Sequence, residues 1–74
     1  MNEQRREQLK KAMVFIKQAT AIIEKVMYEE EKALENLPVD LQESKKGHEM
    51  QRDVDYLDNL QRDLENKITQ LGHF

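Results

Sequence analysis

Glu35-Asn36-Leu37-Pro38-Val39-Asp40-Leu41-Gln42-Glu43-Ser44-Lys45-Lys46-Gly47 decides the fold, because it interrupts two long stretches with helical patterning. Proline disfavours helical backbone in the residue before it and has no N–H to donate, so Asn36-Leu37-Pro38 stops a helix. Residues 38–43 predict a short helical turn, with Asp40 and Glu43 at capping-box spacing. Ser44 then fits as the N-cap of a second helix.

Upstream of the stop, residues 3–36 hold no Gly or Pro and are rich in Glu, Lys, Gln, Ala, Leu and Met, which are good helix formers. Alternating steps of three and four from Leu9 visit Ala12, Ile16, Ala19, Ile23, Val26, Glu30, Ala33 and Leu37. Only Glu30 is polar, so the series reads as a heptad seam. Met13, Met27 and Leu34 widen the apolar face on one side, and Phe15 and Ile22 on the other. One partner helix covers a narrow seam, so this width predicts a second partner.

Downstream, Met50, Leu57, Leu64 and Leu71 recur every seven residues, with Leu60, Val54 and Ile68 beside them. Gly72 fits a C-terminal stop, and His73 and Phe74 form a tail. Run antiparallel, the two series put Leu9 with Leu71, Ile16 with Leu64, Ile23 with Leu57 and Glu30 with Met50. Ala19 then meets Leu60, and Ala33 meets Gly47. The expected fold is all-α: an antiparallel, coiled-coil-like two-helix hairpin forming one domain over residues 1–74. Helix one covers about 3–36, the turn about 37–44 and helix two about 45–71. At 1.5 Å per residue the helices are about 50 and about 40 Å long, a rod with little globularity.

Composition narrows the classes. The chain has 74 residues, net charge -3, no Cys and no Trp. Chains this short rarely build a sufficient core alone, and this one has no disulfide to staple it. Self-association into a dimeric four-helix bundle is the expected remedy. No apolar run approaches the roughly 18 residues of a membrane span. The stretch MNEQRREQLKK lacks the apolar core of a secretory signal. Absence of Cys fits a reducing compartment, so a cytoplasmic location is expected. Charge is uneven: residues 1–17 hold five basic and two acidic side chains, and residues 24–35 hold two basic and five acidic.

The connecting segment, N-L-P-V-D-L-Q-E-S-K-K-G after the acidic stretch Tyr28–Glu35, resembles a family of short phage and prophage proteins. That family carries the pattern N-(L/M)-P-x-x-L-Q-x-S-x-x-G between two acidic helices. The likeness spans roughly residues 28–60 and implies an origin and a fold, with the host cytoplasm as location. It carries over no catalytic residue. Its positions have structural work: Pro38 stops helix one, Ser44 caps helix two, and Gly47 lets the helices approach.

No enzyme is expected. His48 and His73 lack the spacing that puts a metal-binding pair on one helical face, so no metal or other cofactor is expected. There is no Gly-rich phosphate loop and no nucleophile elbow. The carboxylates read as a solvated face. Glu30, within the seam, has two readings. Either it reaches solvent or Arg52 where the seam frays, or it forms a polar layer that fixes register. Thr20 and Gln61 suggest a second such layer.

Two groups of residues are candidate sites. Phe15, Ile22, Tyr28 and Tyr56 flank the seam and, with Val26 of the seam itself, form a candidate interface with another copy or a foreign protein. Arg5, Arg6, Lys10 and Lys11 are candidate anion contacts, but net charge -3 argues against nucleic acid. The leading expectation is a non-enzymatic, self-associating module that binds a partner protein. The phage resemblance implies a host or defence protein as partner and inhibition as effect. The alternatives are an oligomer that sequesters a nucleotide-type signal, using the basic cluster with Lys45, Lys46 and Arg52, and a purely structural coiled-coil part.

Overall fold

A computed structural model describes all 74 residues as three helices: α1 (Glu3–Glu35), α2 (Val39–Gln42) and α3 (Lys45–Leu71). α1 and α3 pack side by side in opposite directions as a hairpin, with α2 forming the bend. The rod measures 58 × 14 × 12 Å, and its radius of gyration is 17.1 Å. A compact chain of this length would have a radius of gyration of about 11 Å.

Each helix end is satisfied locally. Asn2 caps α1, its Oδ1 accepting from the Arg5 backbone N–H at 2.9 Å. Asn36 closes α1 with its N–H bonded to the Lys32 carbonyl. Ser44 caps α3 as expected, accepting from the Gly47 N–H at 3.4 Å while its hydroxyl donates to the Leu41 carbonyl. α2 begins differently from the expected capping box. Pro38 is its N-cap, no side chain caps it, and Asp40 lies inside its first turn. The Pro38 carbonyl accepts from the Leu41 and Gln42 N–H groups instead.

Gln42 ties the bend together. Its Nε2 donates to the Leu37 carbonyl at 2.8 Å and to the Glu35 carbonyl at 3.2 Å, two acceptors near the exposed end of α1. Gly47 is buried for a reason that the sequence reading assigned to the two long helices. A Cβ at this position would lie 2.1 Å from the Gln42 carbonyl oxygen and 2.6 Å from that of Leu41. The backbone of α2, folded back on the first turn of α3, occupies the space a side chain would need.

The seam is held by apolar packing alone. No hydrogen bond and no ion pair joins α1 to α3. The Leu9–Ile16–Ile23–Glu30–Leu37 column lies half-buried, as expected. The second column differs from expectation. Ala19, Val26 and Ala33 are exposed, and the seam is completed by Met13, Thr20, Met27 and Leu34, of which Thr20 is buried. On α3 the corresponding second column is Gly47, Val54, Gln61 and Ile68, beside Met50, Leu57, Leu64 and Leu71.

Helix α3 explains the choice. Its other flanking column reads Lys46, Asp53, Leu60, Lys67, and turning it inward would bury three charges, which is costly without partners. In an antiparallel pair, corresponding flanks face each other. Fixing α3 therefore fixes α1 and leaves the Ala19/Val26/Ala33 side outside. The pairings of Ala19 with Leu60 and of Ala33 with Gly47 across the seam are replaced accordingly. Leu9 and Leu71 do come together, lining one small hollow at the open end with Met13 and Gly72.

The expected polar layers do not form as bonded pairs. The Thr20 hydroxyl donates to the Ile16 carbonyl in its own helix at 2.8 Å, so the chain buries its methyl without an unsatisfied group. Glu30 is half-buried and makes no ion pair with Arg52.

Candidate interaction surface

Helical geometry separates the outside of the hairpin into two flanks. Positions three and four apart share a helix face, so Phe15, Ala19, Ile22 and Val26 form one stripe along α1. They border the seam on the same flank as Tyr56 and Leu60 of α3. With Leu9 level with Leu71, Leu60 lies roughly level with Thr20, and Tyr56 roughly level with Glu24, at 1.5 Å per residue. The six side chains therefore lie along one side of the rod, across the groove between its helices.

These groups are large and uncovered. Phe15 is 67% exposed, Ile22 64%, Val26 45% and Tyr56 70%, while Leu60 is half-buried. Inside the hairpin, by contrast, Val54 is the single buried apolar side chain, and no side chain is fully buried. The outer flank thus shows water side chains as large as those of the seam.

Tyr28, placed with the others by sequence reasoning, is exposed elsewhere. It points off the back of α1, in a shallow hollow lined by Ala21, Lys25, Lys32 and, toward the Phe15 flank, Glu29 and Ala33, with no residue of α3. A hollow on one helix has no opposing wall, so it cannot enclose a ligand. The structure therefore groups Phe15, Ile22, Val26 and Tyr56, and separates Tyr28 from them. Ala19, Val26 and Leu60 are the members that the heptad pattern placed inside. The charges at Asp53 and Lys67 were the signal that could have placed Leu60 outside.

The basic residues do not converge. Arg6 pairs with Glu3 at 3.5 Å and Lys10 with Glu7 at 3.1 Å, one helical turn apart in each case. Arg6 and Lys10 border the open-end hollow; Arg5 and Lys11, about 100° per residue away, do not. Lys45, Lys46 and Arg52 belong to the start of α3, at the other end of a 58 Å rod. A single hairpin cannot bring both basic groups onto one anion. No three His, Cys, Asp or Glu side chains come together as a metal site would require, and His73 stacks edge-on against Phe74 in the tail. No helix is long and apolar enough to cross a membrane.

The chain matches no protein-family model, no curated protein and no solved structure. Structurally it belongs to the class of antiparallel helical hairpins.

Proposed function

We propose that the protein is a non-enzymatic binding module that self-associates as a four-helix bundle and offers its remaining faces to a partner protein. One observation carries this reading: Phe15, Ile22, Val26 and Tyr56 stand exposed on one flank while only Val54 is a buried apolar residue. Exposed contiguous apolar surface of this kind marks an interface. A chain of this size with so small a core gains its stability by association. The turn motif's resemblance to phage proteins supports a host or defence protein as the further partner, inhibition as the outcome and the host cytoplasm as the place.

The test is sedimentation equilibrium with circular dichroism on one dilution series. A helical dimer at low micromolar concentration is expected. Ile22→Asp, at an exposed position that the hairpin itself does not need, should abolish it. A wild-type chain that stays monomeric and fully helical at all concentrations would refute self-association. A pull-down from bacterial lysate that recovers nothing above a bead control would refute the foreign partner.

A further inference from the structure

The self-association reading leaves open how the copies meet, and the inference below rests on it. We propose that the Phe15/Ile22/Tyr56 flank is covered by the same flank of a second copy running in the opposite direction, open end against turn end.

The apolar part of the flank is self-complementary about its own middle. Phe15 lies toward the open end and Val26 and Tyr56 toward the turn, with Ala19, Ile22 and Leu60 between them. A two-fold axis crossing the rod midway between Ala19 and Ile22 lays Phe15 of one copy over Val26 and Tyr56 of the other, and the converse. A closed two-fold interface requires a patch that maps onto itself in this way.

Charge selects the orientation. Residues 1–17 and 59–74, which form the open half of the rod, hold seven basic and four acidic side chains. Residues 24–58, which form the turn half, hold five basic and eleven acidic. Residues 18–23, at the centre of the patch, hold none. The polarity persists in net sign on the flank itself: toward the open end lie Arg5 and Lys67 with Asp63, and toward the turn lie Glu29, Glu49 and Asp53 with Lys46. Arg5, Lys67, Glu29 and Asp53 take no part in any ion pair within the hairpin, and Glu49 meets only Lys45, at 3.9 Å. Reversing the second copy places basic ends over acidic ends, whereas a parallel copy stacks like on like. Such patterns set orientation more than they set affinity.

Elongation leaves surface to spare. The hairpin exposes 5964 Å², against about 4,800 Å² for a compact monomer of its mass. The excess of about 1,200 Å² per copy is on the scale that a standard stable interface requires.

Orientation is measured directly, because a chain without cysteine accepts one unique spin label at exposed Gln8→Cys. The antiparallel dimer predicts a label-to-label distance of about 40 Å; a parallel dimer predicts about 10–20 Å. A short distance in a proven dimer overturns the orientation and leaves self-association standing. A monomer at every concentration overturns both. The second measurement is a charge swap. Lys67→Glu and Glu29→Lys should each raise the dimer dissociation constant about five- to tenfold, since symmetry breaks two exposed pairs at once. The combined variant should recover most of the loss. A combined variant no tighter than either single one counts against the proposal.

Discussion

The bend and the shaft of this hairpin are built on opposite principles. Around the bend, Gln42 and Ser44 make four hydrogen bonds to nearby backbone, and α2 sits so close to α3 that only glycine fits at position 47. Along the shaft, α3 runs beside α1 for 27 residues without one hydrogen bond or ion pair between them. A directional, sterically exact bend fixes where the helices start and which way they return. An undirected shaft relies on apolar area and tolerates exchange of one hydrophobic group for another. The same shaft has enough apolar surface left over to serve a second copy.

Substitutions can break this contrast, and all are best measured by urea denaturation at one fixed protein concentration, because association contributes to stability. The largest effect is expected at the bend. Gly47→Ala should cost about 2–3 kcal/mol by forcing α2 off α3, even though alanine is the better helix former. An unchanged midpoint would mean that α2 does not pack there. In the shaft, Val54→Ala should cost about 1–2 kcal/mol, the burial of two methyl groups less the gain in helix propensity. A loss as large as that of Gly47→Ala would erase the distinction between the two regions.

Ser44→Ala should cost about 1 kcal/mol through loss of the α3 cap. Thr20→Val sharpens the contrast from the other side. The Thr20 hydroxyl bonds only to its own helix, so its removal should change stability by less than about 0.5 kcal/mol in either direction. A large loss would reveal a polar layer across the seam. Smallest of all, Arg62→Gln, which breaks an exposed pair with Asp58, should cost under about 0.5 kcal/mol.

Much of the bend was legible residue by residue, because its determinants are local. Pro38 stops a helix and Ser44 starts one wherever they stand, and α1 and α3 begin and end within a residue or so of expectation. Asn2 was as readable a cap as Ser44. The role of Gln42 was not readable, since it depends on carbonyls brought back by the bend. The candidate surface was legible in part: Phe15, Ile22, Val26 and Tyr56 stand exposed together, but Tyr28 falls on the back of α1.

The sequence alone determined two long helices, the break between them, and the columns of Leu9, Ile16 and Ile23 and of Leu57, Leu64 and Leu71 that face each other. It could not choose between the Ala19/Val26 and Met13/Met27 sides of α1, because steps of three and of four from the same column both reach apolar residues. Tertiary structure made that choice through α3. Asp53 and Lys67 must stay in water, so Val54 and Ile68 turn inward, and the antiparallel pairing forces Met13, Thr20, Met27 and Leu34 to meet them. The flank left outside by that choice is the one proposed here to bind.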